Sequence, residues 1–122
     1  MSRLLSVSHT KEQVRARTKT QTRRLGWWED KNGRRLVVPG DTLTPCEKVT
    51  GRRKGEPMVR ICDVRVTAVR REPLNHIAFH PGDVAAEGFP NWSPYDFIAF
   101  FCDTFKVPST RDVTVIEWEY LP

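Results

Sequence analysis

The run Arg17-Thr18-Lys19-Thr20-Gln21-Thr22-Arg23-Arg24 is where the reading of the chain turns. Three β-branched hydroxyl residues alternating with cations continue a helix poorly, because each loses χ1 freedom against the preceding turn. An extended conformation is therefore predicted. In an extended run residues two apart share a face, so Thr20, Thr22 and Arg24 point one way and Lys19, Gln21 and Arg23 the other, unless a turn bends the segment. By residue type alone the run reads either as a polar loop or as a cradle for an anionic ligand.

On the N-terminal side, Leu4, Leu5 and Val7 predict a short strand, and Thr10 with Gln13 makes a capping box for a helix over residues 11–17. On the C-terminal side, Val37-Val38-Pro39-Gly40-Asp41 enters a turn and residues 42–49 read as a strand. Residues 50–57, with Gly51 and Gly55, have hairpin-tip chemistry. The clearest strand is predicted over residues 58–70. There Cys62, Val64, Val66 and Ala68 alternate with polar residues, while Val59 and Ile61 fall in the opposite phase, so a bulge is expected near Ile61 and Cys62. The last strand has the same discord, with Val113 and Val115 out of phase with Ile116, Trp118 and Tyr120. Strands bent in this way suit a small barrel. Between the long strands lie a short helix over residues 83–88 and a longer one over residues 93–105. Ser93-Pro94-Tyr95-Asp96 opens the longer helix with an N-cap, a proline at its first position and an acid in its first turn. Its face of Phe97, Ile98, Phe101, Cys102 and Phe105 is assigned to core packing.

At 122 residues, residues 1–122 are expected to form one α+β domain. No apolar run approaches the roughly 20 residues of a membrane span, and no secretory signal is visible, so a cytoplasmic protein with no membrane partner is expected. Cys46, Cys62 and Cys102 are odd in number and lack any C-x-x-C spacing, so they are read as reduced. The net charge of +5 is unevenly spread: residues 1–60 hold 15 basic and 6 acidic groups, residues 61–122 hold 5 and 9. Arginine outnumbers lysine 14 to 6, and the pairs Arg23/Arg24, Arg34/Arg35 and Arg52/Arg53 suit bidentate phosphate contacts. A phosphate-bearing partner and a merely solvated arginine-rich surface both fit this pattern.

The order short strand, helix, Lys19-x-x-Thr22-x-Arg24, Pro39-Gly40-Asp41 turn, long hairpin, helices and final strand resembles the ASCH domain family across nearly the whole chain. That resemblance implies a PUA-like β-barrel with flanking helices. The family signature G-x-K-x-x-E-x-R keeps its lysine as Lys19 and its arginine as Arg24. It departs at Arg17, where glycine is usual, and at Thr22, where glutamate is usual. One branch, the small N(4)-acetylcytidine amidohydrolases, also has threonine there and is understood to use a Thr/Lys/Glu trio. Carried over, the resemblance implies Thr22 as nucleophile, Lys19 as base or oxyanion stabiliser, and Glu87 as the acid that orients Lys19. Glu87 is placed by element order, with Asp83 as its competitor.

A threonine hydroxyl needs a base within hydrogen-bond reach, and lysine serves only when neutral. Burial, Arg23 and Arg24 lower the lysine pKa while Glu87 raises it, so the sequence leaves both roles for Lys19 open. The substrate implied is an N(4)-acylated cytidine or a related modified nucleoside, bound by a monomer. The substrate-binding set expected around it is Arg23, Arg24 and Thr20, with Trp27, Trp28, Phe89 and Trp92 as stacking surfaces. A non-catalytic RNA-binding module and a metal-assisted ribonuclease are the alternatives. His76 and His80 stand four apart, as two metal ligands on a helix would, but no third ligand accompanies them. Neither a metal nor a cofactor is assigned. Ser8-His9-Thr10 lacks a nucleophile elbow and is read as a connection.

Overall fold

The computed structural model describes residues 2–122. Its elements run β1 (Arg3–Ser6), α1 (Lys11–Arg15), β2 (Gln21–Arg24), β3 (Thr42–Cys46), β4 (Val64–Pro73), a 3-10 helix (Leu74–Phe79), α2 (Asp83–Ala86), α3 (Pro94–Phe105) and β5 (Asp112–Tyr120). The five strands form one mixed sheet in the order β1-β3-β4-β5-β2, with β1 parallel to β3 and the other pairs antiparallel. The mixed α+β class is as expected; the barrel is not. Among the described residues β1 and β2 share no ladder, and the sheet ends at these strands. Each is four residues long, and the Arg24 guanidinium sits in the seam and donates to the Ser6 carbonyl. A side chain stands where a further ladder would close the sheet. No helix is long and apolar enough to cross a membrane among the described residues.

The discordant phases of β5 have a cause other than a bulge. Val113 and Val115 belong to one buried cluster, with Leu74, Ile77, Val84, Phe97 and Phe101. Ile116 and Trp118 belong to a second, with Leu5, Val14, Leu43, Val64 and Val66. β5 is the internal strand between β4 and β2 and carries core on both faces. Apolar residues of either parity are then buried.

The bulge lies instead in β4, where the register against β5 shifts between Val66 and Ala68. Val66 is clamped there by the Pro39-Gly40-Asp41 turn: its carbonyl accepts from Gly40 N and its N–H donates to the Asp41 carbonyl, both at 2.8 Å. β4 also starts six residues later than predicted. Residues 58–63 follow β3 irregularly, through the Cys46↔Arg60 bridge and the bonds Glu47 N to Val59 O and Ile61 N to Pro45 O.

At α3 the capping box forms, Asp96 N–H donating to Ser93 Oγ at 3.1 Å and Ser93 N–H to Asp96 Oδ2 at 2.9 Å. At α1 it does not. Thr10 makes no side-chain cap there, and the helix stops at Arg15, with Arg17 in the left-handed region at φ 60°. That turn sends the chain straight into β2.

Candidate functional site

β2 is extended, and its alternation sorts the charged residues. Gln21 and Arg23 reach the same carboxylate, that of Glu87, with Gln21 Nε2 and Arg23 Nη1 each 3.0 Å from Oε2. The Arg23 backbone N–H donates to Oε1 at 3.3 Å. Thr22 and Arg24 meet each other, the Arg24 Nε–H donating to Thr22 Oγ1 at 3.1 Å. Lys19, just before the strand, sends its amine to the Glu87 carbonyl oxygen at 2.7 Å, with the carboxylate Oε1 3.6 Å away. Lys19 is 3% exposed and Glu87 2%.

Glu87 caps the C-terminus of α2 and is followed by Gly88 at φ +111°. A Cβ on Gly88 would come within 3.1 Å of the Gln13 side chain, and the positive φ is one that L side chains rarely adopt, so glycine suits the turn that carries Glu87 to Lys19. The Lys19 carbonyl is held from β5 by Trp118 Nε1–H at 3.1 Å and by the Tyr120 hydroxyl. Backbone and amine of Lys19 are thus both fixed.

Behind Glu87 lies a chain of ion pairs. Arg23, whose side chain is wholly buried, also reaches Asp83 at 2.8 Å and Glu72 at 3.2 Å. Arg70 closes the chain from the rim, 2.7 Å from Asp83, 2.5 Å from Glu72 and 3.0 Å from Glu117. Burial raises the Asp83 and Glu72 carboxyls, but bonds and charge from Arg23 and Arg70 outweigh it and both are held below the usual carboxylate range. Asp83, the alternative to Glu87, therefore serves Arg23 and Arg70. Burial pulls the Lys19 ammonium down to about 8, with Glu87 opposing and Arg24 and Arg23 assisting. Burial also brings the Arg24 guanidinium down to about 10, so it stays charged at neutral pH.

Lys19, Thr22, Arg23, Arg24, Glu87 and Phe89 all line one cavity of about 180 Å³. Its remaining walls are Ser6 to Thr10 and the α3 phenylalanines Phe97, Phe100, Phe101 and Phe105. Four expected contacts fall outside this lining. The Thr20 side chain is exposed, its backbone joining Ala86 to Trp118. Trp27 packs on the core beneath Arg3. Trp28 lies under the Arg35 guanidinium, 3.3 Å from the ring centre. Trp92 stacks on Phe89 at 4.0 Å and buttresses it.

The aromatic wall that sequence reasoning missed comes from α3. Phe100 lies off the helix's apolar stripe and stands edge-on to His9, with ring centres 5.8 Å apart. His76 lies in the 3-10 helix and His80 at its end, 3.8 Å from Glu72. Among the described residues no group of three His, Cys, Asp or Glu side chains is placed to hold a metal ion. The three cysteines are free.

Fold and site together define a small α+β protein with an open five-stranded sheet and a charged cavity at the seam between its edges. No family model matches the chain, and no curated protein matches it in sequence. Two solved structures share its fold. One is protein EF3133 from Enterococcus faecalis V583, of family DUF984, with a TM-score of 0.69 and 14% identity over 99% of this chain and 80% of that one. The other is hypothetical protein PH0355, with a TM-score of 0.62 and 17% identity over 98% of this chain and 97% of that one. At these identities the likeness is one of fold.

Proposed function

We propose that the chain is an ASCH-like, PUA-related amidohydrolase that removes the acyl group from N(4)-acylated cytidine or a related modified nucleoside. The observation that carries this reading is the meeting of Lys19 and Thr22 with Glu87, which is distant from them in sequence, at one cavity walled by phenylalanines. In the reaction Thr22 Oγ attacks the exocyclic amide carbonyl and passes its proton to Lys19. The C–N bond then breaks, and Lys19 returns the proton to the leaving amine of the base. Water hydrolyses the resulting acyl-threonine, releasing the carboxylic acid and freeing the hydroxyl. An amine titrating near 8 is partly neutral at physiological pH, which suits a general base. Taking the proton requires Lys19 Nζ to leave the Glu87 carbonyl oxygen for Thr22, whose hydroxyl is held meanwhile by Arg24.

One observation favours a second reading, a nucleotide-binding module without catalysis: the Glu87 carboxylate is already occupied by Gln21 and Arg23. Incubation with N(4)-acetylcytidine, followed by chromatography, separates the two. Hydrolysis that disappears in Lys19→Met and Thr22→Ala supports the enzyme. Full hydrolysis by Lys19→Met, or binding without turnover by the wild type, rejects it. Labelled RNA incubated with and without chelator tests the ribonuclease alternative.

A further inference from the structure

We propose that the ligand of this cavity carries an oxyanion group, a phosphate monoester or a carboxylate, bound at Arg24. This deepens the reading above and rests on it for the heterocycle; the anion subsite stands on the surroundings of Arg24.

Three cations line the cavity, and two have carboxylates of their own. Lys19 has Glu87, and Arg23 has Glu87, Asp83 and Glu72. Arg24 has only neutral acceptors: its Nε–H goes to the Thr22 hydroxyl and its Nη2 to the Ser6 carbonyl. Among the described residues no carboxylate lies within ion-pair distance of it, and its Nη1 bonds to none of them. A guanidinium drawn partly out of water and left with neutral oxygens lacks the counter-charge that such groups normally find. Glu87, the carboxylate whose field reaches Arg24, is already bonded to Gln21 and Arg23. A planar donor set with a spare edge matches phosphate or carboxylate oxygens.

The adjoining wall suits the same group. Thr10 is buried, lines the cavity and makes no capping bond, so its hydroxyl is free to donate. Ser8 beside it is exposed at the rim. Phe89 and Phe100 add apolar wall to the same cavity, their rings packed on each other at 5.7 Å.

Calorimetric titration with cytidine, cytidine 5′-monophosphate and cytosine-5-carboxylate, with inorganic phosphate as the ion-only control, tests this. At least one charged ligand should bind about tenfold or more tighter than cytidine at low salt, with an advantage that shrinks as salt is added. Which charged ligand wins identifies the source of the oxyanion. Arg24→Gln should erase the advantage of the charged ligand over cytidine, and Arg24→Lys should restore part of it. Equal binding of charged and neutral ligands by the wild type overturns the inference, as does an advantage that survives in a folded Arg24→Gln protein. The wild-type comparison decides even if the variants fail to fold. Failure of the enzymatic reading registers separately, as anion preference without deacylation. Deacylation with no anion preference sinks only the inference drawn here.

Discussion

Replacing Glu87 by glutamine should make Lys19 more acidic still. The carboxylate oxygen lies 3.6 Å from the amine. At that distance a unit charge pair is worth about 4.6 kcal/mol at an effective dielectric of about 20, and about 1.2 kcal/mol in bulk water. Since a pKa unit corresponds to about 1.4 kcal/mol, losing the negative charge lowers Lys19 by between about 1 and about 3 units. The lower part of that range is favoured, because Arg23 already draws on the same carboxylate. Starting from about 8, Lys19 then titrates between about 5 and about 7 and is mostly neutral at pH 7.5. The assay is a pH titration of the Lys19 side-chain resonances in lysine-labelled protein. Arg24→Gln is the companion variant of opposite sign, since removing a nearby cation raises the lysine pKa. A protein unfolded by either change would show the ordinary lysine value of about 10.4, so loss of structure cannot imitate the predicted fall. A folded Glu87→Gln protein whose Lys19 stays at or above its wild-type value refutes this account of the site's electrostatics.

Because Lys19 holds its proton less tightly when folded than when unfolded, the unfolded chain binds more protons between about pH 8 and about pH 10.5. Its contribution to stability therefore rises with pH across that window by about 3 kcal/mol, and Lys19→Met should flatten that part of a denaturation-versus-pH profile. Asp83 and Glu72 carry depressed pKa values, so the stability they supply is present above their unfolded values and is lost as pH falls through the folded ones. Arg70→Met raises the folded values toward the unfolded ones, so its acid titration should show a smaller loss that is complete at higher pH. Gly88→Ala should cost about 1 kcal/mol or more in urea denaturation, since it meets both a left-handed φ and the Gln13 side chain. Trp118→Phe removes one of two donors to the Lys19 carbonyl and should cost about 1 kcal/mol by the same measurement.

Much of the architecture was legible because local chemistry dictated it. Ser93 to Asp96 specified the start of α3, and the hydroxyl-rich run before Arg24 gave an extended β2. Illegible features depended on partners distant in the chain. The clashing phases around Val115 and Ile116 look like a bulge until both faces of β5 are known to be covered. The real bulge is imposed on Val66 by Gly40 and Asp41, whose bonds no local pattern announces. Barrel closure failed for a similar reason, since nothing in Arg24 as a letter says that it will occupy a seam. At the cavity, Lys19, Thr22 and Arg24 could be singled out through the resemblance of their run to a family motif. Arg23 was expected at the substrate, and the structure spends most of its donors on Glu87, Asp83 and Glu72 instead. The tryptophans drew attention by size alone, whereas the cavity is walled by phenylalanines of a helix that read as core.

The arginine between β1 and β2 also bears on how the protein behaves in crowded solution. Among the described residues both strands at the margins of the sheet have backbone amides and carbonyls with no neighbouring ladder, the kind of border on which foreign chains add themselves. Here the two borders are brief and are tied by a bulky cation donating to Ser6, so an incoming segment would have to displace a charged group before it could pair. Shortening that side chain should therefore make concentrated stocks turn cloudy sooner, whatever it does to any bound molecule.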